Sequence, residues 1–256
     1  MQSFVGKVAL ICGGTTGIGF ATAKELVKLG ASVAIAARNV QQGLAAEREL
    51  KALGGNAIFF PVDVSHPAAV AELISGVVTH FGRLDCAVNS AASDAQPSVA
   101  HEMPHDEAAG IVSTDFLGVF HCMQYEIAAM LKSGGGTIVN VSSINGLSGT
   151  PTAAVYSAAK HAVIGLTRSA AKEYIAHGIR INAVCPGATD TPRRERRMAK
   201  LSPEERLEQI EALSPAIPIG RLAKAEEIAN AIVWLSSASS SYVVGHSLVV
   251  DGGLLA

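Results

Sequence analysis

Tyr156 and Lys160 stand four residues apart in Tyr156-Ser157-Ala158-Ala159-Lys160. On a helix that spacing places them one turn apart on one face, an ammonium near a phenol. A free phenol has a pKa of about 10, so it exchanges protons at neutral pH only where positive charge stabilises its anion. The pair is a candidate acid–base device. The same spacing also fits an exposed tyrosine and a solvated lysine on an ordinary helix. Other parts of the chain must decide between the two.

A second group of residues suits phosphate binding. Gly13-Gly14-Thr15-Thr16-Gly17-Ile18-Gly19 follows the apolar run Lys7 to Cys12 and precedes helical periodicity from Ala21 to Leu29. Strand, glycine-rich turn and helix together form a cradle. The glycines allow a tight turn and close approach to a diphosphate, and the helix N-terminus offers free N–H groups. The spacing is G-x-x-x-G-x-G, not the commoner G-x-G-x-x-G, and an ordinary βα turn is the simpler alternative. The next strand, Ser32 to Ala37, ends with Ala37 where an acid would hold a ribose 2′-hydroxyl, and Arg38 follows. A missing acid and an added guanidinium favour a 2′-phosphate, hence NADP(H) over NAD(H), with NAD(H) still possible.

The elements that must position these residues alternate along the chain. Helices are expected over Gln41–Leu53, Pro67–Phe81, His105–Leu131, Thr152–His177 and Ala225–Leu235, the fourth carrying Tyr156 and Lys160. Between them lie strand-like runs at Ala57–Val62, Leu84–Asn89, Thr137–Val141, Ile179–Val184 and Ser247–Val250. Such alternation implies an α/β fold, a parallel sheet with helices on both faces. Ligands of open α/β sheets collect at the carboxyl ends of the strands. Asp63-Val64, Asn89-Ser90-Ala91-Ala92, Ser142-Ser143 and Pro186-Gly187 all fall there. Asp115 lies in the more apolar part of a long helix, and buried carboxylates need partners. Pro192 to Gly220 interrupts the alternation and contains Arg193-Arg194-Glu195-Arg196-Arg197. It is placed to cover a ligand, as a lid at about residues 190–220. Its arginines could attract an acidic substrate, although a solvated helix accounts for them more simply.

Composition narrows the classes. Hydrophobic residues make up 49% and charged residues 16% of the 256-residue chain, which argues for a well-buried core and against disorder. A net charge of −2 offers no footprint for nucleic acid or an anionic membrane. Cys12, Cys86, Cys122 and Cys185 form no C-x-x-C pair and read as reduced, buried residues of a cytoplasmic protein, with no metal cage. No signal-peptide pattern or transmembrane run is expected, nor any linker dividing residues 1–256 from a single dinucleotide-binding and catalytic domain.

Taken together, Gly13-x-x-x-Gly17-Ile18-Gly19, Asp63-Val64, Asn89-Ser90-Ala91-Ala92, Ser143, Tyr156-x-x-x-Lys160, Pro186-Gly187 and Asp251-Gly252-Gly253 resemble the short-chain dehydrogenase/reductase family over essentially the whole chain. The resemblance implies a Rossmann-type, doubly wound sheet of seven parallel strands in the order 3-2-1-4-5-6-7, and a homotetramer. It implies NAD(P)-dependent exchange between a carbonyl and a secondary alcohol of a small molecule, of 3-oxoacyl, sugar or cyclic ketone type. Ser143 would bind the substrate oxygen and Tyr156 exchange the proton. Lys160 would hold the nicotinamide ribose and stabilise the tyrosine's anion. Thr189 to Thr191 would bind the carboxamide, with the cofactor otherwise held by Gly13, Thr15, Thr16, Gly17, Ile18, Gly19, Arg38, Asp63, Val64, Asn89, Ala91, Pro186 and Gly187. The chain departs from the family at Cys12, at Ser90 and Ala92, and above all at Asp115, where the family has a catalytic asparagine. An ionised aspartate cannot donate a hydrogen bond and adds a negative charge near Lys160. Two other classes stay open: reduction of an activated C=C bond, and a non-catalytic, cofactor-sensing protein on the same fold.

Overall fold

The computed structural model describes residues 3–94, 96–199, 201–204 and 216–256. Seven strands form one parallel sheet: β1 (Val8–Cys12), β2 (Ser32–Ala37), β3 (Ala57–Pro61), β4 (Cys86–Asn89), β5 (Gly136–Val141), β6 (Ile179–Pro186) and, last in the chain, β9 (Ser247–Val250). Their order is β3-β2-β1-β4-β5-β6-β9, and every pairing is parallel. This is the expected order, with β9 as the seventh strand. The chain reverses its direction of growth between β1 and β4, where ligands of such sheets bind.

The strands read as continuous apolar runs because both faces of the sheet are covered. All five residues of β1 are buried, but they serve two cores. Val8, Leu10 and Cys12 face one core, with residues of α3 (Pro67–Phe81), α5 (Gly118–Ser133) and α6 (Ala154–Tyr174). Ala9 and Ile11 face the other, with α1 (Gly17–Lys28), α2 (Val40–Ala52) and α8 (Ala225–Ser236). Pleat alternation thus sorts a uniformly apolar sequence onto two helical layers. Among the described residues no helix is long and apolar enough to cross a membrane.

Two features differ from expectation. The helix expected over His105–Leu131 is two helices, α4 (His105–Val112) and α5, joined by a π turn at Ser113–Leu117 that contains Asp115. One wide turn changes which side chains face inward, an effect that hydrophobic periodicity does not report. Beyond β6, the short strands β7 (Thr189–Asp190) and β8 (Ala223–Lys224) pair with each other, and α7 (Pro192–Met198) starts between them. Thr191 caps α7, its hydroxyl accepting from the Arg194 N–H at 3.3 Å. Lys200 and residues 205–215, which include most of the charged run expected after α7, lie outside the described residues.

Candidate active site

The carboxyl ends of β1 to β6 open into one cavity of about 950 Å³. Its wall runs from Gly13–Ile18, Arg38, Asp63 and Val64 at one end to Ser143, Tyr156 and Lys160 at the other, with Ala91, Pro186, Gly187, Thr189 and Thr191 between. The sheet register therefore gathers nearly every residue expected at a site. Two stand apart. Gly19 packs behind the turn, where a side-chain carbon would lie 2.2 Å from the Gly13 carbonyl oxygen. Asn89 is buried and fastens other elements together instead of facing the cavity.

The first end suits a dinucleotide. Gly13 has φ +81°, and a Cβ there would lie 2.6 Å from the Ala91 nitrogen, so only glycine lets the turn lie this close to the loop after β4. Gly17 has φ +55°, and a Cβ there would reach 3.4 Å from Thr191, filling the gap between the turn and the residue that caps α7. That gap and the N-terminus of α1 fit a diphosphate. Arg38 is 60% exposed at the mouth, and its guanidinium lies 3.9 Å from Asp63. Burial works to raise the Asp63 carboxyl, but hydrogen bonds from the Ser65 N–H and hydroxyl, with the Arg38 charge, hold it below the ordinary range. Arg38 is thus anchored loosely and free to meet an incoming anion.

The second end is a charged centre. α6 carries Tyr156 at the wall and Lys160 behind it, with the ammonium 5.6 Å from the centre of the phenol ring. Lys160 is 2% exposed and donates to the Val141 carbonyl at 3.1 Å. Its ammonium also lies 3.4 Å from Asp115 Oδ1, and Asp115 is wholly buried. Asp115 Oδ2 accepts from both the backbone N–H and the hydroxyl of Ser93. Ser93 supplies the hydrogen-bond donors and Lys160 the opposite charge, so the buried pair is charge-compensated. Ser143 ends β5's loop at the wall, and its hydroxyl accepts from the Asn145 N–H at 3.2 Å.

Three contacts escape sequence reasoning. Ser93 carries no signal in the sequence, yet it holds Asp115. Arg193 lies in the arginine run, but its target is visible only in three dimensions: Nε donates to the Ser93 carbonyl at 2.8 Å, and the guanidinium carbon is 5.5 Å from the Tyr156 ring centre. Cys12 and Cys122, distant in sequence, have sulfurs 3.6 Å apart. With the Glu126 carboxylate they lie within 4.8 Å of one another. Burial pushes Glu126 up to about 8 against the Asn89 hydrogen bond. The contact with Cys12, and then burial, push the Cys122 thiol up. Groups held protonated in this way are poor metal ligands.

The Enoyl-(Acyl carrier protein) reductase family model matches residues 13–255. The chain is 42% identical to the A-factor type gamma-butyrolactone 1'-reductase (1S-forming) of Streptomyces virginiae, over 96% of this chain and 95% of the relative. It is 40% identical to the cis-4-hydroxycyclohexanecarboxylate dehydrogenase of Sinomonas cyclohexanicum, over 100% and 99%. Its fold superposes on the crystal structure of levodione reductase with a TM-score of 0.94, at 33% identity and with 98% of each chain covered. Full-length likeness of this order establishes that the chain belongs to the short-chain dehydrogenase/reductase family and is a dehydrogenase/reductase acting on CH–OH groups and their carbonyls.

Proposed function

We propose that the protein moves a hydride between NADP(H) and a secondary alcohol, or the matching ketone, of a small ring-bearing molecule, with Tyr156 exchanging the proton. The observation that carries this reading is the convergence of Ser143, Tyr156 and Lys160 at one end of a cavity whose other end is a glycine cradle beside Arg38. The nicotinamide dinucleotide supplies or accepts the hydride when bound. Gly13 to Ile18 would hold its diphosphate, Arg38 its 2′-phosphate, Asp63, Val64 and Ala91 its adenosine half, and Pro186, Gly187, Thr189 and Thr191 its carboxamide.

Ser143 and Tyr156 direct two hydroxyl donors at the substrate oxygen and stabilise the charge that develops there. In reduction Tyr156 gives its proton to that oxygen, and in oxidation its anion takes the proton of the alcohol. Lys160, held by Val141 and Asp115, keeps an ammonium beside the ring and favours the phenolate. The activities of the relatives named above, on a γ-butyrolactone and on a hydroxycyclohexanecarboxylate, support a ring-bearing substrate. Exposed Val112, Leu117, Phe120 and Leu131 along α4 and α5, with Val249 on β9, support assembly into a homotetramer.

The test is a panel of cyclic secondary alcohols, ketones and one enone, run with both cofactors and followed by the absorbance of reduced nicotinamide. Turnover of a cyclic alcohol or ketone is expected, with kcat/KM higher for NADP(H). Arg38→Ala should reduce that preference by about tenfold, as for loss of one charge-assisted contact. Reduction of the enone without any carbonyl turnover, or equal use of NAD(H), overturns the corresponding part of the reading.

A further inference from the structure

Helix α7 brings Arg193, Arg194, Arg196 and Arg197 to the cavity wall. Among the described wall residues at this end, the acidic side chain is Asp94. It takes Arg196 at 3.2 Å and stands 3.9 Å from Arg193. The chain as a whole has a net charge of −2, so this positive end is local.

Arg193 is held in place. Its Nε donates to the Ser93 carbonyl, and its guanidinium carbon lies 5.5 Å from the centre of the Tyr156 ring, which the Lys160 ammonium approaches to 5.6 Å. Its two terminal amino groups make no hydrogen bond among the described residues, and its side chain lines the cavity beside Tyr156. Arg197 is half-buried beside it. Burial, and then the adjacent Arg193 charge, hold the Arg197 guanidinium below its ordinary range, with Tyr156 and Asp94 opposing. Two like charges kept together in a recess are relieved by an anion between them. Their planar forks match the two oxygens of a carboxylate.

We infer that the substrate carries a carboxylate, bound by Arg193 and Arg197 beside Tyr156, so that the enzyme selects hydroxy- and keto-carboxylic acids over neutral alcohols of the same size. The inference rests on the reading of Tyr156 as the proton-exchanging group. A carboxylate on the free amino groups of Arg193 lies within about 10 Å of the phenol oxygen, the span of one ring with the reacting carbon and the carboxylate at opposite ends. Thr191 at the start of α7 borders the gap that suits the cofactor's diphosphate, whereas Arg193 and Arg197 lie with Ser93, Asp94 and Tyr156, a group that the phosphates do not account for.

The test measures binding as well as turnover. Calorimetric titration of the NADP-saturated protein compares cyclohexanecarboxylate with cyclohexanecarboxamide, which has the same shape and no charge. The carboxylate should bind at least about tenfold more tightly, and the advantage should shrink in 0.5 M salt, as for a charge-assisted pair. In Arg193→Gln/Arg197→Gln that advantage should vanish while NADP binding is kept, and Arg193→Lys should keep part of it. Equal affinities for acid and amide in the wild-type protein overturn the inference without recourse to any variant. So does loss of NADP binding in the double variant, which assigns the arginines to the cofactor, and so does tighter binding of cyclohexyl phosphate than of the carboxylate. A carboxylate preference without turnover of any alcohol or ketone upholds the inference and sinks the catalytic reading instead.

Discussion

Two buried carboxyl groups about three turns apart on one helical segment meet opposite fates. Asp115 lies in the π turn, and Glu126 follows eleven residues later on α5. Both are wholly buried. Asp115 faces the Lys160 ammonium at 3.4 Å and two donors from Ser93. Glu126 meets one amide donor, from Asn89 at 3.0 Å, and its other oxygen has no partner among the described residues. The first is a charged centre that reaches the cavity through Tyr156. The second is a sealed, neutral knot in which Asn89 and Asn140 tie β4 and β5 to α5 and α6. Burial alone decides neither state. A counter-charge within reach keeps a carboxylate ionised, and its absence keeps a carboxyl protonated.

Breaking the charged centre at its outer member should give the largest effect. Tyr156→Phe should lower kcat by about 10³-fold or more, the worth of a positioned proton donor, and leave NADP binding and the thermal midpoint almost unchanged. Steady-state kinetics beside a cofactor titration checks this, and near-normal turnover would remove Tyr156 from its role. Breaking the same centre at its inner member should cost stability as well. Lys160→Met leaves Asp115 buried and unpaired, a loss of about 3 kcal/mol in urea unfolding. Lys160→Met/Asp115→Leu should recover much of that loss, whereas strictly additive losses would show that the two residues do not act as a pair.

The neutral knot should respond to pH with the opposite logic. Glu126 holds its proton up to about 8 in the folded chain, against an ordinary value of 4.5. Over that window the unfolded chain has released a proton that the folded chain still binds. Stability therefore falls as pH rises from 4.5 towards 8, and the loss levels off above it. By pH 7 the cost is on the order of 3 kcal/mol. Glu126→Gln should remove this slope from the pH dependence of the unfolding midpoint, whatever its effect on absolute stability. A variant as pH-sensitive as the parent would show Glu126 ionised in the fold. The smallest expected effect sharpens the comparison from the charged side. In Asp115→Asn the ammonium acts on Tyr156 without an opposing charge, so the rising limb of alcohol oxidation should move to lower pH. Superimposable pH–rate profiles would mean that Asp115 serves only to hold Ser93.

Most of the fold was legible because its signals are local. Continuous apolar runs marked the strands, periodicity marked the helices, and glycines marked the turn at Gly13. The π turn was not legible, since one inserted residue per turn leaves composition and capping unchanged. Asn89 shows a different limit: it stands at a strand end where ligands gather, but its side chain turns towards Glu126 on α5 and Asn140 on β5. Ser93 and Arg193 could not be paired from sequence, because 100 residues separate them and the contact is one carbonyl to one guanidinium.

By itself the sequence determined the residue types of a candidate reaction centre and the order of elements that carries them: a phenol and an ammonium one turn apart, a serine at a strand end, and a glycine-rich turn suited to a phosphate. It did so because helical and strand spacing are properties of neighbouring residues. Only the tertiary structure decided which charges neighbour which. Lys160 meets Asp115, Arg193 lies over Tyr156, and Glu126 meets no cation among the described residues. Electrostatic state depends on distance through the fold, and distance through the fold is set by packing, not by position in the chain.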